Sequence, residues 1–328
     1  MSNIIAWITY SVVYASVIMM GALGETLTEK SGHLNLGVPG IMYISGFLGY
    51  YATFCYEKST ANPNWFLVVL ISLTVAALVG GFFGFLYSLL CVSFKCNQNV
   101  VGLLLTAVCV GFSKSISFAV GITTTSKADF SGIVYNTPIP GLSAIPYIGS
   151  VLFGYGFSVY LAIVLAILAS LYLKKTRNGL NLRSVGESPA AADAVGINVT
   201  RYKYVATIIG CAICGIGGVM YVLGYGGGQW STNNDIEAIG WLAVALVIFS
   251  SWKPIHLIWG SIVFGILFWA YNYLPHIISL PTFTGAGELL KMLPYVVTII
   301  VLVVNSAKKK KENQPPASLG VSYFREER

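Results

Sequence analysis

The sequence predicts an all-α integral membrane protein: a polytopic helical bundle of about eight to ten transmembrane helices with a short cytoplasmic docking helix. Composition is the first observation behind this prediction. The 328 residues are 56% apolar and only 9% charged, with a mean hydropathy of +0.75, which is too little charge for a soluble globular domain. The second is a series of apolar windows, each long enough to cross a hydrocarbon core of ~30 Å. The third is the distribution of Lys and Arg between them.

Nine apolar windows define a single membrane domain, residues 1–306. They lie at 4–24, 36–56, 66–91, 98–121, 155–173, 204–224, 236–251, 255–274 and 289–305. The seventh is short and is equally consistent with a re-entrant segment. Residues 307–328 follow as a basic tail, whose charge and adjacent prolines favour disorder.

The positive charge predicts the orientation, because basic loops stay in the cytoplasm. Fifteen of the 19 Lys and Arg fall on one side of the predicted bundle. That side holds the basic loop 174–203 and the C-terminus, which we therefore expect to be cytoplasmic. Nine crossings would place the N-terminus outside, and a break near residues 25–40 would reverse that end only.

The basic loop 174–203 contains the signals of a short helix. Ser188 can accept hydrogen bonds from the first amides, and Pro189 is tolerated at the first helical position. Ala190–Val195 supply one or two turns, and Gly196 suits a left-handed end. A small-faced helix of this kind is suited to pressing into a groove on a soluble partner.

No enzymatic chemistry is indicated. His33, His256 and His276 lie far apart and match no metal-binding pattern, and the chain has neither a nucleophile motif nor a phosphate-binding loop. Cys211 and Cys214 form a C-x-x-C, but this spacing without further ligands favours a small-residue packing face. We therefore expect no catalytic residue, no metal and no cofactor bound by this chain.

Charged residues inside the windows are scarce. Lys114 is the clearest case, and it is either functional or extends its amine to the interface. Asp and Glu lie almost wholly in loops or at span ends. This counts against an ion-coupled transporter, in which several buried carboxylates are usual.

Polar and aromatic residues at span ends are the candidates for a solute path. They are Asn97, Gln98, Asn99, Trp230, Asn233 and Asn234. Amides and aromatic rings suit a neutral polar ring such as a nucleobase or a sugar. Three alternatives remain: the first three residues cap the next helix, Trp230 is an interface anchor, and the glycine-rich segment Gly224–Asp235 is a surface loop and not the lining of a polar cavity.

Three segments carry a family resemblance: GETLTEKSGHLNLGVPGIM (Gly24–Met42), NQNVVGLLLT (Asn97–Thr106) and NLRSVGESPAAADAVGINVTRYKY (Asn181–Tyr204). Together they resemble the permease subunits of bacterial ABC importers of the ribose, branched-chain amino acid and nucleoside class. The similarity runs from about residue 5 to 305. The chain most resembles the shorter of the two permeases of nucleoside importers that receive their substrate from a basic-membrane-protein-type lipoprotein.

The resemblance implies a multi-pass subunit of the bacterial cytoplasmic membrane that forms the translocation path for purine or pyrimidine nucleosides. Simple sugars or riboflavin are the alternative substrates, and an ion-coupled secondary transporter is the alternative class. The implied partners are a second homologous permease, ABC ATPase subunits that use ATP and Mg, and an extracellular substrate-binding lipoprotein. Nucleic acid is not among them.

The resemblance also implies roles for particular positions. The coupling helix that receives motion from the ATPase would comprise Gly186, Glu187, Ser188, Pro189, Ala190, Ala191, Ala192, Asp193, Ala194 and Gly196. Asn35 lies in a signature where a break in the membrane helix is expected, and it joins the candidate path residues. Pro39 stands where relatives are expected to carry an acidic residue, so substrate choice could differ from theirs.

Overall fold

A computed structural model describes residues 2–122, 126–138, 153–277, 286–308 and 314–324. All regular elements within these ranges are helices, and one isolated antiparallel bridge joins Lys127 to Gln229. The predicted all-α polytopic class is confirmed.

The helices follow one another with short connections. In chain order they are α1 (Ser2–Glu29), α2 (Val38–Ser59), α3 (Trp65–Ser88), α4 (Gln98–Ala119), α5 (Asp129–Asn136), α6 (Phe157–Lys175), α7 (Arg177–Glu187), α8 (Pro189–Ala194), α9 (Val199–Val219), α10 (Asp235–Phe249), α11 (Pro254–Ile277), α12 (Ala286–Lys291) and α13 (Leu293–Lys308). Wider π-helical turns extend α3 over Leu89–Ser93 and α9 over Met220–Tyr225.

Six of these helices are long and apolar enough to cross a membrane: α1, α3, α4, α6, α9 and α11. They coincide with six of the nine predicted windows. The remaining windows coincide with α2, α10 and α13. At 15 residues, α10 is shorter than the ~20 residues of a full crossing, as its window indicated.

Helix α9 lies at the centre of the bundle because small residues let its neighbours approach closely. A Cβ on Gly24 of α1 would overlap the Gly210 carbonyl oxygen, and one on Gly80 of α3 would overlap that of Cys211. Such contacts are the usual way in which membrane helices pack. Cys211 and Cys214 are fully buried in this packing, and the Cys214 thiol donates to the Gly21 carbonyl at 3.3 Å. The C-x-x-C thus lies on a packing face.

The turn between α1 and α2 is folded into the protein. Helix α1 continues to Glu29, five residues beyond the predicted window, and Ser31, His33 and Asn35 are buried in the turn that follows. Gly32 adopts φ +88°, which glycine tolerates at no steric cost. The break expected in this signature is present.

The C-terminal tail differs from the disorder that its composition favours. Residues 314–324 lie against the α7–α8 region and against the turn after α1. Composition could not predict this ordered segment, because its stabilising contacts are hydrogen bonds to main-chain groups that are distant in sequence. Hydropathy does not include such contacts. Residues 309–313 and 325–328 of the predicted tail lie outside the described residues.

Candidate coupling site and substrate path

Helices α7 and α8 form as their local sequence predicts. The Thr176 hydroxyl accepts a hydrogen bond from the Gly179 amide at 3.0 Å, and that of Ser188 accepts one from the Ala191 amide at 3.3 Å. Gly196 then takes φ +84°, and its amide donates to the Asp193 carbonyl at 3.0 Å. This left-handed ending satisfies carbonyls at the end of α8.

The short helix α8 has a buried and an exposed face. Ala192 packs in a small apolar cluster with Val185 of α7 and Val199 of α9. Ala191, about 100° around the helix from Ala192, is exposed, and Val195 just beyond the helix is 75% exposed. A surface of small side chains next to one uncovered valine can bring the α8 backbone close to a partner.

Close backbone contact joins this region to the end of α1. A Cβ on Gly186 would overlap the Lys30 carbonyl oxygen, so α7 and the turn after α1 meet without an intervening side chain. The helix that precedes α8 thus contacts the turn after α1 through main-chain atoms.

Residues 316–323, here called the C-terminal strap, cross this contact. The Ser318 amide and hydroxyl both donate to the Gly186 carbonyl, at 3.1 and 2.6 Å. The Gly320 amide donates to the Gly32 carbonyl at 3.1 Å. The strap thus bonds to α7 and to the turn after α1 at once.

The end of the strap reaches α8 and the turn that precedes α4. The Tyr323 hydroxyl donates to the Asp193 carboxylate at 2.9 Å, and its main-chain carbonyl accepts from the Lys95 ammonium at 2.6 Å. Lys95 holds φ +56°, an uncommon conformation for a non-glycine residue. One tyrosine therefore links α8 to the start of α4.

Burial changes the protonation of two basic groups in the turn after α1. Burial, together with a smaller effect of the nearby Arg183 charge, lowers the pKa of Lys30 to about 8. Burial also holds the pKa of His33 well below its usual value, with smaller contributions from Lys203 and Lys95. The His33 ring is therefore neutral, and its Nδ1 lies 3.0 Å from the Thr207 hydroxyl.

Two of the three predicted path residues at the start of α4, Asn97 and Gln98, have structural roles. The Asn97 side chain accepts hydrogen bonds from the amides of Asn99 and Val100, at 3.0 and 3.2 Å, so the capping alternative is confirmed for Asn97. Gln98 is buried, and its Oε1 accepts from the Leu34 amide at 2.8 Å. Asn99 is exposed.

Asn35 is buried as well. Its side-chain oxygen accepts from the Gly37 amide at 2.9 Å, its side-chain nitrogen lies 3.3 Å from the Cys211 sulfur, and its main-chain amide donates to Glu25 at 3.0 Å. These bonds hold the turn between α1 and α2.

Trp230 is the centre of an aromatic cluster. It is 0% exposed, and its indole nitrogen donates to the Ser117 hydroxyl at 3.0 Å. The rings of Tyr43, Phe47 and Tyr50 have centroids 5.4, 4.8 and 6.2 Å from its own. An interface anchor would be partly exposed, so Trp230 does not fit that alternative.

The glycine-rich segment around Trp230 is built into the fold. A Cβ on Gly228 would overlap the Ala128 carbonyl oxygen, and the Ala128 amide donates to the Gly228 carbonyl at 2.9 Å. The segment therefore packs against the start of α5 and is more than a free surface loop.

Lys114 joins the predicted amides at the end of α4 that lies near Trp230. Its ammonium donates to the Asn234 side-chain oxygen at 2.7 Å and lies 6.0 Å from the Tyr43 ring centroid. The Tyr43 hydroxyl donates a hydrogen bond to the main-chain carbonyl of Asn233 at 3.2 Å. An amine, two amides and a tyrosine thus converge beside the Trp230 cluster, and Asn233 and Asn234 are exposed there.

The two groups of predicted path residues lie at opposite ends of α4. Gln98 and Lys114 are separated by a helix rise of about 24 Å, so they do not form one site. Of the candidates, the structure brings together Trp230, Asn233 and Asn234, and it adds Lys114 and Tyr43.

The sequence analysis missed two buried carboxylates. Glu25 and Glu29 lie in α1, one helical turn apart on one face, and both are buried. Glu25 accepts from the Asn35 amide, and Glu29 accepts from the Trp252 indole. The E-x-x-x-E spacing could have indicated them. Both lie at the end of α1, as the expectation for carboxylates allowed, but the sequence analysis did not predict their burial.

Comparisons with known proteins cover nearly the whole chain. The family model described as "Branched-chain amino acid transport system / permease component" matches residues 7–302. The guanosine ABC transporter permease protein NupQ of Bacillus subtilis is 31% identical over 97% of this chain and 96% of its own length. The nucleoside ABC transporter permease protein NupC of Lactococcus lactis is 32% identical over 88% of each.

A third relative carries a different substrate name. The putative glucose ABC transporter permease protein TsgC13 of Haloferax volcanii is 31% identical over 77% of this chain and 73% of its own length. All three relatives are transport subunits by name, as is the family. The helical bundle and the match over residues 7–302 lead to one conclusion: this chain belongs to the ABC transporter permease family described as the branched-chain amino acid transport system permease component.

Proposed function

We propose that this permease forms the translocation path of an ABC importer for purine or pyrimidine nucleosides. The single observation that supports it most is the full-length similarity to permeases named for guanosine and for nucleosides. The site agrees with a neutral polar substrate, because the exposed side chains of Asn233 and Asn234 offer hydrogen-bond donors and acceptors. Stacking and amide hydrogen bonds recognise a base without requiring a charged substrate.

We propose that the first contacts of the substrate are with Lys114, Asn233 and Asn234, which lie at the accessible side of the cluster. Trp230 lies behind them, and it fixes the position of Tyr43 through ring contact. Because Trp230 is fully buried, a base can stack on it only after α2 and the Gly224–Asp235 segment separate.

Energy comes from ABC ATPase subunits that use ATP and Mg, and the exposed face of α8 is their docking surface. Gly186–Gly196 would act as the coupling helix. Its two fixed connections support this role: the main-chain contact of Gly186 with Lys30 leads to α1, and the Tyr323–Lys95 bond leads to α4. Motion of α8 would reach α1 through main-chain atoms, and it would reach the turn before α4 through the side chains of Asp193, Tyr323 and Lys95.

The remaining partners are a second, homologous permease and an extracellular substrate-binding lipoprotein. Two Lactococcus lactis relatives support the pairing. NupC is 32% identical to this chain over 88% of its own length, whereas the nucleoside ABC transporter permease protein NupB is 20% identical over 68% of its own length. This chain therefore resembles one of two different permeases of that bacterium far more than the other.

We place the chain in the bacterial cytoplasmic membrane with its C-terminus in the cytoplasm. The strap bonds to the basic α7–α8 region, so both lie on the same side. The excess of Lys and Arg on that side supports a cytoplasmic position.

A simple sugar is the second candidate substrate, and the similarity to a putative glucose permease favours it. No relative described above is named for riboflavin or for ion-coupled transport, so neither alternative has comparable support.

Uptake of labelled guanosine, uridine, ribose, glucose and riboflavin by cells with and without this chain tests the substrate. We expect loss of nucleoside uptake that the restored gene reverses. Loss of glucose or ribose uptake with normal nucleoside uptake would leave the family intact and refute the nucleoside proposal.

A further inference from the structure

A groove between α6 and α9 lies apart from the proposed substrate path. Its volume is about 860 Å³, and α7 and the turn after α8 close one end. The long part of the groove is apolar, and the closed end is polar. The apolar part is lined by Leu165, Leu168, Val205, Ile209 and Ile213, and the polar end by Arg177, Asn178, Asn181, Asn198, Arg201 and Tyr202.

The dimensions of the groove match one leaflet of a bilayer. Arg201 is in the first turn of α9, and Ile213 follows about 18 Å further along the helix. This is slightly more than half of a hydrocarbon core of ~30 Å. Both α6 and α9 are candidate membrane spans, so the apolar part lies at acyl-chain depth while the polar end lies at the membrane boundary.

The polar end carries uncompensated positive charge. The side chains of Arg177 and Arg201 are exposed, and in the described part of the chain neither guanidinium has an ion-pair or hydrogen-bond partner. No Asp or Glu lines the groove. A guanidinium matches the oxygens of a phosphate in a two-point geometry.

A fixed amide lies beside the two arginines. The Tyr202 hydroxyl accepts from the Asn181 side chain at 2.9 Å and donates to the Asn178 side-chain oxygen at 3.2 Å. This chain of bonds holds Asn178 in one orientation, and its side-chain N–H groups remain without a partner within the described residues. They are additional donors for an anionic oxygen.

We propose that this groove binds an anionic glycerophospholipid. The phosphate lies at Arg177, Arg201 and Asn178, and an acyl chain lies along Leu168, Ile209 and Ile213. Charge complementarity selects the occupant. Two unpaired arginines favour a headgroup with net negative charge over a zwitterionic headgroup, whose own ammonium group neutralises the phosphate. A free phosphate would leave the apolar part uncovered.

Native mass spectrometry of the detergent-purified permease complex tests the proposal, with phosphatidylglycerol and phosphatidylcholine as competing probes. Arg177→Gln and Arg201→Gln should each weaken retention of phosphatidylglycerol about fivefold, and the double variant about 25-fold. Arg183→Gln is the matched control, because Arg183 lies on α7 outside the groove lining. It should retain the lipid as the wild type does.

Leu168→Trp tests the acyl part separately, since it fills the groove and leaves both charges in place. It should displace phosphatidylglycerol with no change in the assembly of the complex. Equal retention of the two lipids, or equal loss in the Arg183→Gln control, would overturn the proposal. So would an efficient cross-link from Val205→Cys to a second permease, which would assign the groove to a protein interface.

Discussion

The Tyr323 hydroxyl donates a hydrogen bond to the Asp193 carboxylate at 2.9 Å, across 130 residues of sequence. Asp193 is the last charged residue of α8, and Tyr323 ends the C-terminal strap. The same tyrosine accepts a bond from Lys95 through its main-chain carbonyl. Position 323 is therefore a junction between the proposed ATPase-docking helix and the turn that begins α4.

A stop codon at Gln314 should uncouple transport, because it removes the strap and keeps α13 and Lys308–Lys311. We expect the complex to assemble and hydrolyse ATP, with nucleoside uptake reduced at least fivefold. Uptake and ATPase rate, measured together, check this. A stop codon at Arg325 is the matched control, since it leaves the strap intact. Normal uptake in the shorter chain would show that the strap has no role in coupling.

Tyr323→Phe should have a smaller effect than loss of the strap. It removes only the hydroxyl bond to Asp193, and a partly exposed hydrogen bond of this kind contributes about 1 kcal/mol. The ring still packs near Val185 and Ala192. Hydrogen exchange of residues 189–196 should become about fivefold faster in Tyr323→Phe, whereas Tyr323→Leu should lose the ring packing as well. Unchanged exchange in both variants would contradict a holding role.

Ala191→Glu and Ala192→Glu should separate docking from stability. Ala191 is exposed, so its substitution should abolish uptake and leave the melting temperature unchanged. Ala192 is buried among Val185 and Val199, so a carboxylate there should destabilise the α7–α8 region itself. Thermal melting and uptake of both variants, with Ala191→Ser as control, check the difference. Full uptake with Ala191→Glu would refute α8 as the docking helix.

Asn234→Ala should raise the KM for nucleoside about tenfold, because the variant loses one hydrogen bond to the polar substrate. Asn234 is exposed, so folding should be unaffected. Thr232→Ala, in the same exposed stretch, is the matched control and should transport normally. Trp230→Ala is a poorer test, because removing a fully buried tryptophan typically costs about 3–5 kcal/mol of stability. An unchanged KM in Asn234→Ala would place substrate recognition elsewhere.

Lys30 should make stability depend on pH. Burial lowers its pKa to about 8 from an ordinary 10.5, so between these values the folded state binds fewer protons than the unfolded state. Stability therefore rises with pH across this window, and the cost of the buried charge is fully present below pH 8. Lys30→Gln should remove this part of the rise. Melting temperatures of both proteins at pH 8 and 10.5 measure the difference, and parallel curves would contradict it.

The helices could be predicted because their signals are local. Each window needs only a run of apolar residues, and the capping of α8 depends on Ser188, Pro189 and Gly196 within nine positions. The strap could not be predicted in this way, because Ser318 bonds to a carbonyl 132 residues away. Its composition resembles that of a disordered tail, and only the folded α7–α8 region supplies the acceptors.

The candidate site could be predicted only in part. Trp230, Asn233 and Asn234 lie close together in sequence and remain together in space. Asn35 and Gln98 have side chains that suit a substrate, but hydropathy does not distinguish an amide that binds a solute from one that satisfies main-chain groups at a helix break. Lys114 joins the site because one face of α4 brings it to Asn234, a contact across 120 residues.

Uptake of labelled nucleoside by cells depleted of ATP, with their ion gradients maintained, tests the central claim most directly. Cells that carry the wild-type chain are compared with cells that carry Ala191→Glu. An ABC importer driven through α8 predicts that ATP depletion abolishes wild-type uptake, and that Ala191→Glu abolishes it at normal ATP with the protein still inserted in the membrane. Uptake that persists without ATP and is unaffected by Ala191→Glu would contradict the account.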